Sequence, residues 1–287
     1  MRRAVLLALT VPLLLAVPLL LASPLSAKEK EKETKTAPAP AAAAPSANPG
    51  VTDPSAGEMI DQERQYKHCL ALARSKPEDA WEEALAWSSL GGGEPARHCA
   101  ALSLIALKQF DEGASRLEAL ARDSHSPARI RAGMLAQAGQ AWLLSGKPEK
   151  AYAAQTSALG LVPGAPDLLV DRAQTLADAK NYREALADLD EAVKNDPKRV
   201  DALVFRAATK RYLDDIKGAS DDLAKALAID GLYQDGWLES GMVKRLQGDA
   251  AGARKDWLKV LEIAPNSNAA DAARRNIEML DVEKIQN

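Results

Sequence analysis

From residue 58 onward the apolar positions recur at helical spacing, and the pattern repeats. Ala151, Ala185, Ala219 and Ala253 stand 34 residues apart. The same interval joins Ala158, Ala192, Ala226 and Val260, and again Pro163, Pro197, Gly231 and Pro265. Gly139, Ala173, Ala207 and Gly241 make a fourth series. Small residues at a fixed period mark places where two helices cross closely, because a larger side chain there would hold them apart. Between the small-residue series lie polar turns, Ser145-Gly146-Lys147-Pro148, Ala179-Lys180-Asn181-Tyr182, Leu213-Asp214-Asp215-Ile216 and Gln247-Gly248-Asp249-Ala250. Gly and Asn suit a helix C-terminus, and proline at the end of a unit stops the second helix before the next begins. The pattern predicts a run of helix–turn–helix units that bury their apolar faces only by stacking.

The sequence before residue 58 differs in kind. Arg2 and Arg3 precede an apolar run from Ala4 to Ala22, and Ser23-Pro24-Leu25-Ser26-Ala27 has the small residues of a cleavage region. Residues 1–27 are therefore expected to be a signal peptide, with an uncleaved N-terminal anchor as the alternative, since the run approaches the span of a bilayer. Residues 28–57 open with Lys28-Glu29-Lys30-Glu31-Lys32-Glu33-Thr34-Lys35 and continue as Ala, Pro and small polar residues. Such a segment has no apolar surface to bury and is expected to be a disordered charged and Ala/Pro-rich linker.

The repeated unit resembles that of the tetratricopeptide repeat (TPR) family in length and in its order of small residues, aromatics and terminal proline. Trp237-Leu238-Glu239-Ser240-Gly241 followed by Ala253, Trp257 and Pro265 carries the resemblance, as does Asn181-Tyr182-Arg183-Glu184-Ala185-Leu186 with Asn195-Asp196-Pro197. Four units are expected in 126–267. Two degenerate TPR-like units are expected in 58–125, with turns at Lys76-Pro77-Glu78-Asp79-Ala80 and Leu107-Lys108-Gln109-Phe110-Asp111-Glu112; Gly113 stands where Ala is usual. Residues 268–287 would supply a capping helix and tail. The implied fold is all-α, a right-handed superhelical solenoid closed at its C-terminal end by that helix.

Composition sharpens this. Of the residues 47% are hydrophobic and only 4% aromatic, with 56 alanines; that skew favours close-packed helices over sheets. A net charge of −3 from 37 basic and 40 acidic residues argues against a nucleic-acid binder. No nucleophile–base motif, metalloprotease motif or phosphate-binding glycine loop occurs, and Gly91-Gly92-Gly93 reads as a loop. The expectation is a non-enzyme with no cofactor and no resident metal. The acid pairs Asp188/Asp190, Asp214/Asp215 and Asp221/Asp222 read as solvated helical charge.

Cys69 and Cys99 each follow a histidine, His68 and His98. Neighbouring positions on a helix point about 100° apart, so neither pair readily faces one ion, and no c-type haem motif is present. Given the resemblance, both cysteines fall in first helices of consecutive units, and an oxidising compartment would pair them. A disulfide is the expectation; two free buried thiols, or a metal or redox role, are the alternatives.

The resemblance implies a concave groove lined by the first helix of each unit. Its candidates here are Gln137, Gln140, Val170, Asp171, Gln174, Val204, Phe205, Ala208, Arg211, Leu238, Met242 and Arg245. Apolar groups flanked by Arg and Gln suit an extended or helical peptide. The carboxylate clamp of some TPR domains is not carried over, because Val170, Val204 and Leu238 replace its Lys and Gln174, Ala208 and Met242 replace its Asn. The expected function is a non-catalytic protein–protein interaction scaffold of the bacterial cell envelope, binding a protein or peptide partner. It would be exported to the periplasm, or anchored in the inner membrane and facing the periplasm through an uncleaved signal. The alternative is a self-assembling structural component, a homo-oligomer, of an envelope complex.

Overall fold

The computed structural model describes residues 56–286. The expected signal peptide and nearly all of the expected linker lie outside the described residues. Contacts group Gln62–Asn287 into one compact unit; of the preceding unit, Met1–Asp61, only the start of the first helix is described.

The described residues form thirteen helices and no strand. They are α1 (Ala56–Ser75), α2 (Pro77–Ser89), α3 (Gly93–Ala106), α4 (Phe110–Asp123), α5 (Ala128–Leu144), α6 (Pro148–Leu161) and α7 (Pro166–Asp178). There follow α8 (Tyr182–Asn195), α9 (Val200–Tyr212), α10 (Ile216–Ile229), α11 (Gln234–Leu246), α12 (Ala250–Ile263) and α13 (Asn268–Gln286). Each odd helix from α3 to α11 packs on the even helix after it, and each even helix from α4 packs on the next odd one. Successive odd helices from α5 to α13 also approach one another more closely than successive even helices do. The stack is therefore shorter along its first-helix side, which makes that side the concave one.

The turns follow from local chemistry. Gly146, Lys180, Asp214 and Gly248, spaced by 34 residues, all have positive φ, between 63° and 83°. The residue after each donates its amide back to the helix it leaves, to Trp142, Leu176, Lys210 and Lys244, closing the last turn. Asp215 and Asp249 then start the next helices, their side chains accepting from the amides of Gly218 and Gly252 at 2.9 and 2.8 Å.

The small-residue series lie where the helices cross. Ala151, Ala185, Ala219 and Ala253 are fully buried, as are Ala158, Ala192, Ala226 and Val260. Trp142 and Trp257 are buried, whereas Trp237 is half-buried and donates from Nε1 to the Gly231 carbonyl at 2.9 Å. α13 stands one repeat length after α11 and packs on α12 and α11, its Ala269, Ala270 and Ala273 closing a cluster with Trp257 and Val260. At the other end the sulfurs of Cys69 on α1 and Cys99 on α3 lie at bonding distance, with a Cα–Cα separation of 6.3 Å and both residues fully buried.

One expectation fails. Asp188 and Asp222 are buried, not solvated, and Asp256 shares their position one repeat further on. Arg172 on α7 donates from Nε and Nη2 to both oxygens of Asp188, at 2.8 and 2.7 Å. Arg206 on α9 does the same to Asp222, at 2.8 and 2.6 Å, while its Nη1 reaches Asp190 on α8 at 3.0 Å. On α11 Ser240 replaces the arginine and donates to Asp256 at 2.6 Å. Lys210 adds a second cation to Asp222, and Lys244 supplies a cation to Asp256. A buried carboxylate persists only when its acceptors are filled, and a guanidinium fills two at once. The signal was present in the sequence as Arg172/Arg206 and Asp188/Asp222/Asp256, each at 34-residue spacing.

Candidate interaction groove

The first helices α5, α7, α9 and α11 carry the groove, and their repeat puts equivalent side chains in rows. Gln140, Gln174, Ala208 and Met242 form one row, 34 residues apart and all half-buried. Gln137, Asp171 and Phe205 form a second half-buried row, which Glu239 continues as a buried residue. Asp167, Asp201 and Asp235 occupy the first turns of α7, α9 and α11. Acidic residues there complement the positive helix end. Sequence reasoning missed this third row, although it shares the 34-residue interval.

Several candidates are placed differently from the expectation. Val170 and Val204 are buried, 2% and 6% exposed, within the clusters formed with Leu169, Ala173, Leu203 and Ala207. They hold units together and offer almost no surface to a partner. Leu238 and Met242 are half-buried and lean on the cluster that α13 closes, so only part of each faces out. Arg211 donates from Nε to Glu239 Oε1 and from Nη2 to Oε2 at 3.2 Å, and its guanidinium stacks 4.4 Å from the Tyr212 ring centre. Burial alone would lower the Arg211 pKa, but the Glu239 charge and hydrogen bond outweigh it and hold it above its usual value. Arg211 thus joins α9 to α11 and is not available for a partner's carboxylate. Arg245 is half-buried on α11.

Gln137 is engaged as well. Its Oε1 lies 2.7 Å from His98 Nε2 on α3, and His98 Nδ1 lies 2.7 Å from the Tyr66 hydroxyl on α1. An amide oxygen only accepts, so Nε2 carries the proton and Nδ1 accepts from Tyr66. Burial holds the His98 pKa below its ordinary value, the Gln137 contact opposing it, and pushes the Tyr66 hydroxyl up to about 12. The chain Tyr66–His98–Gln137 ties three successive first helices beside the cysteine pair.

Asp171 stands apart. Burial, together with the nearby Asp167 and Asp201 charges, pushes its carboxyl up to about 7 against the opposing pull of Arg199. Arg199 is itself committed to Asp201, donating from Nε and Nη2 at 2.9 Å each. The Asp235 carboxyl is also raised by burial. The first turns of α7, α9 and α11 are thus acidic, and Gln174, Phe205, Ala208 and Met242 are half-buried on the same helices. Among the described residues no group of three or more His, Cys, Asp or Glu is placed to hold a metal ion, and no helix is long and apolar enough to cross a membrane.

No family model matches the chain, and no curated protein matches it. Solved structures do. A MamA fragment (41-end) from Desulfovibrio magneticus RS-1 is similar over 61% of this chain and 97% of its own, with a TM-score of 0.52 at 18% identity. The APC/C hetero-tetramer Cut9–Hcn1 is similar over 77% of this chain, with a TM-score of 0.58 at 17% identity; the match spans 44% of that chain, less than half its length. At these identities the likeness is one of fold. The 34-residue unit, the paired helices and these structural neighbours together show that the chain has the fold of the tetratricopeptide-repeat proteins.

Proposed function

We propose that this chain is a non-catalytic scaffold of a bacterial cell envelope that holds a protein or peptide segment along the concave face of α5, α7, α9 and α11. The row Gln140, Gln174, Ala208 and Met242 carries the reading, because one side chain per repeat stays half-exposed on the first helices. A repeated row of that kind suits an extended ligand, each repeat offering the same contact at a regular advance. Envelope placement rests on the charged start, apolar run and small-residue cleavage region of residues 1–27, and on a cysteine pair suited to an oxidising compartment.

Site-specific photocrosslinkers at Gln174 and Ala208 test the groove, with Lys194 and Lys225 on the exposed surface of the second helices as controls. The expected result is a discrete adduct in cells from the first two positions and none from the controls. Equal adducts at all four positions, or none, would overturn the groove reading. Intact mass of the chain recovered by osmotic shock tests export: a mature N-terminus at Lys28 is expected, and a cytoplasmic chain retaining Met1 would refute it.

A further inference from the structure

The turn edge of the stack leaves large side chains in water. Leu144, Tyr212 and Leu246, the last residues of α5, α9 and α11, hold one repeat position and are 52%, 44% and 60% exposed. Asp178, the last residue of α7, interrupts this row. Across the same turns Pro148, Tyr182 and Ile216 open α6, α8 and α10 and are half-buried. Tyr182 and Tyr212 stack over the unit boundary, their ring centres 4.6 Å apart and their planes 3° from parallel. The edge is thus a strip of apolar and aromatic groups several repeats long, and exposed surface of that kind marks a contact site.

The turns along the strip change sign halfway. Their positive-φ position is filled by Gly146, Lys180, Asp214 and Gly248, and the residue after it is Lys147, Asn181, Asp215 and Asp249. The turns are therefore basic before the tyrosine stack and acidic after it. Neighbouring charges in the second helices largely cancel, as Glu149 with Lys150, Arg183 with Glu184, and Lys217 with Asp221. Lys147 already meets Asp111, while Asp215 and Asp249 cap their own helices. That leaves Lys180 and Asp214, both exposed and neither in an ion pair among the described residues.

We propose that this strip is the contact of a symmetric dimer, in which a second copy of the chain docks antiparallel on its own turn edge. A two-fold axis through the tyrosine stack sets Lys180 of each copy toward Asp214 of the other and brings Leu144 to the other copy's Leu246. A two-fold contact requires a surface that complements itself. An apolar middle between ends of opposite sign meets that requirement, whereas a partner of one sign would be attracted by one half and repelled by the other. The tyrosines and Arg211 at the centre are the residue types that carry most interface energy. The proposal stands apart from the groove reading, whose row Gln140, Gln174, Ala208 and Met242 lies one helical turn back on the same helices.

Sedimentation equilibrium of the intact mature chain tests it, with the parent expected to dimerise at micromolar concentration. The turn accepts either residue, since Lys108, Lys180 and Asp214 share one backbone conformation, with φ of 61°, 63° and 65°. Lys180→Asp and Asp214→Lys should therefore fold as the parent does. Each sets two like-charged pairs in the contact and should weaken dimerisation by about tenfold. Combining the two substitutions in one chain should restore the parent affinity, and so should mixing the two single variants in equal amounts. Leu246→Glu, at an exposed position, should weaken the dimer by at least as much. A parent that stays monomeric to millimolar concentration overturns the proposal and leaves the strip to a different protein. A dimer that Lys180→Asp and Leu246→Glu leave intact, or one whose loss in the single variants is not recovered by the swap or the mixture, overturns it as well.

Discussion

Arg206 on α9 grips both oxygens of Asp222 on α10, and its remaining nitrogen reaches back to Asp190 on α8. One side chain therefore joins three successive helices across a unit boundary. Arg172 repeats the arrangement one unit earlier, with Asp188 and, at 3.4 Å, Thr156. Ser240 on α11 keeps the bond to its own second helix.

Asp222→Ala should cost about 3 kcal/mol, because it leaves Arg206 and Lys210 partly buried without their shared counter-charge. Asp190→Ala, on the exposed arm, should cost under about 1 kcal/mol. Urea denaturation of the two variants measures the difference, and equal losses would refute the account. Burial alone would raise the Asp222 pKa, but the hydrogen bonds and charges of Arg206 and Lys210 hold it below the usual carboxylate range. Its contribution is therefore present above the unfolded value of about 4 and is lost as pH falls through the depressed folded value.

Reducing the Cys69–Cys99 pair, or changing both to Ser, should lower stability by about 3 kcal/mol for the sequence separation of 30. Loss should fall first on α1 and α2, whose packing against the next unit runs through Cys69, Ala84, Cys99 and Ala100. Limited proteolysis with and without reductant reads this directly: cleavage within residues 61–90 should accelerate, and the α7–α13 segment should stay protected.

Restoring the usual alanine at Gly113 should destabilise rather than improve the protein. A Cβ there would stand 2.6 Å from Ile105 Cγ1 and 3.0 Å from the backbone oxygen of Ala101. The backbone atom cannot move aside, so α3 and α4 must separate, at a cost of about 1–3 kcal/mol. A higher melting temperature for Gly113→Ala would contradict this close approach.

Asp171→Asn should stabilise the free chain above pH 7. The folded carboxyl titrates at about 7 and the unfolded one at about 4, so the native state holds a proton that the unfolded state has lost across that interval. Native stability falls as pH rises through that window, by at most about 4 kcal/mol. The amide removes the dependence. Melting curves at pH 4 and pH 8 should differ less for Asp171→Asn than for the parent chain; parallel curves would show that Asp171 titrates normally.

The equivalent positions of the first helices were legible because repetition writes them four times. Gln140, Gln174, Ala208 and Met242 keep equivalent places on four helices, and all of them are half-buried. Val170 and Val204 were misassigned because they sit at the border between groove and core, one position before Asp171 and Phe205. A helix turns about 100° per residue, so a border residue faces inward or outward according to how the next unit leans on it. Arg211 was offered to a partner because its acid, Glu239, lies 28 residues away and nothing local announces the pairing.

By itself the sequence determined the helices, their pairing and their period. These depend on local properties: alanine's helix propensity, the left-handed turn residues, and the small side chains at each crossing. Only the tertiary structure decided which charges are buried and which face the groove. Asp188, Asp222 and Asp171 are the same residue type on neighbouring helices, and each fate depends on what stacking brings against it. Two found a guanidinium and became part of the frame. The third came to rest beside Arg199 already committed to Asp201, and kept its acceptors open.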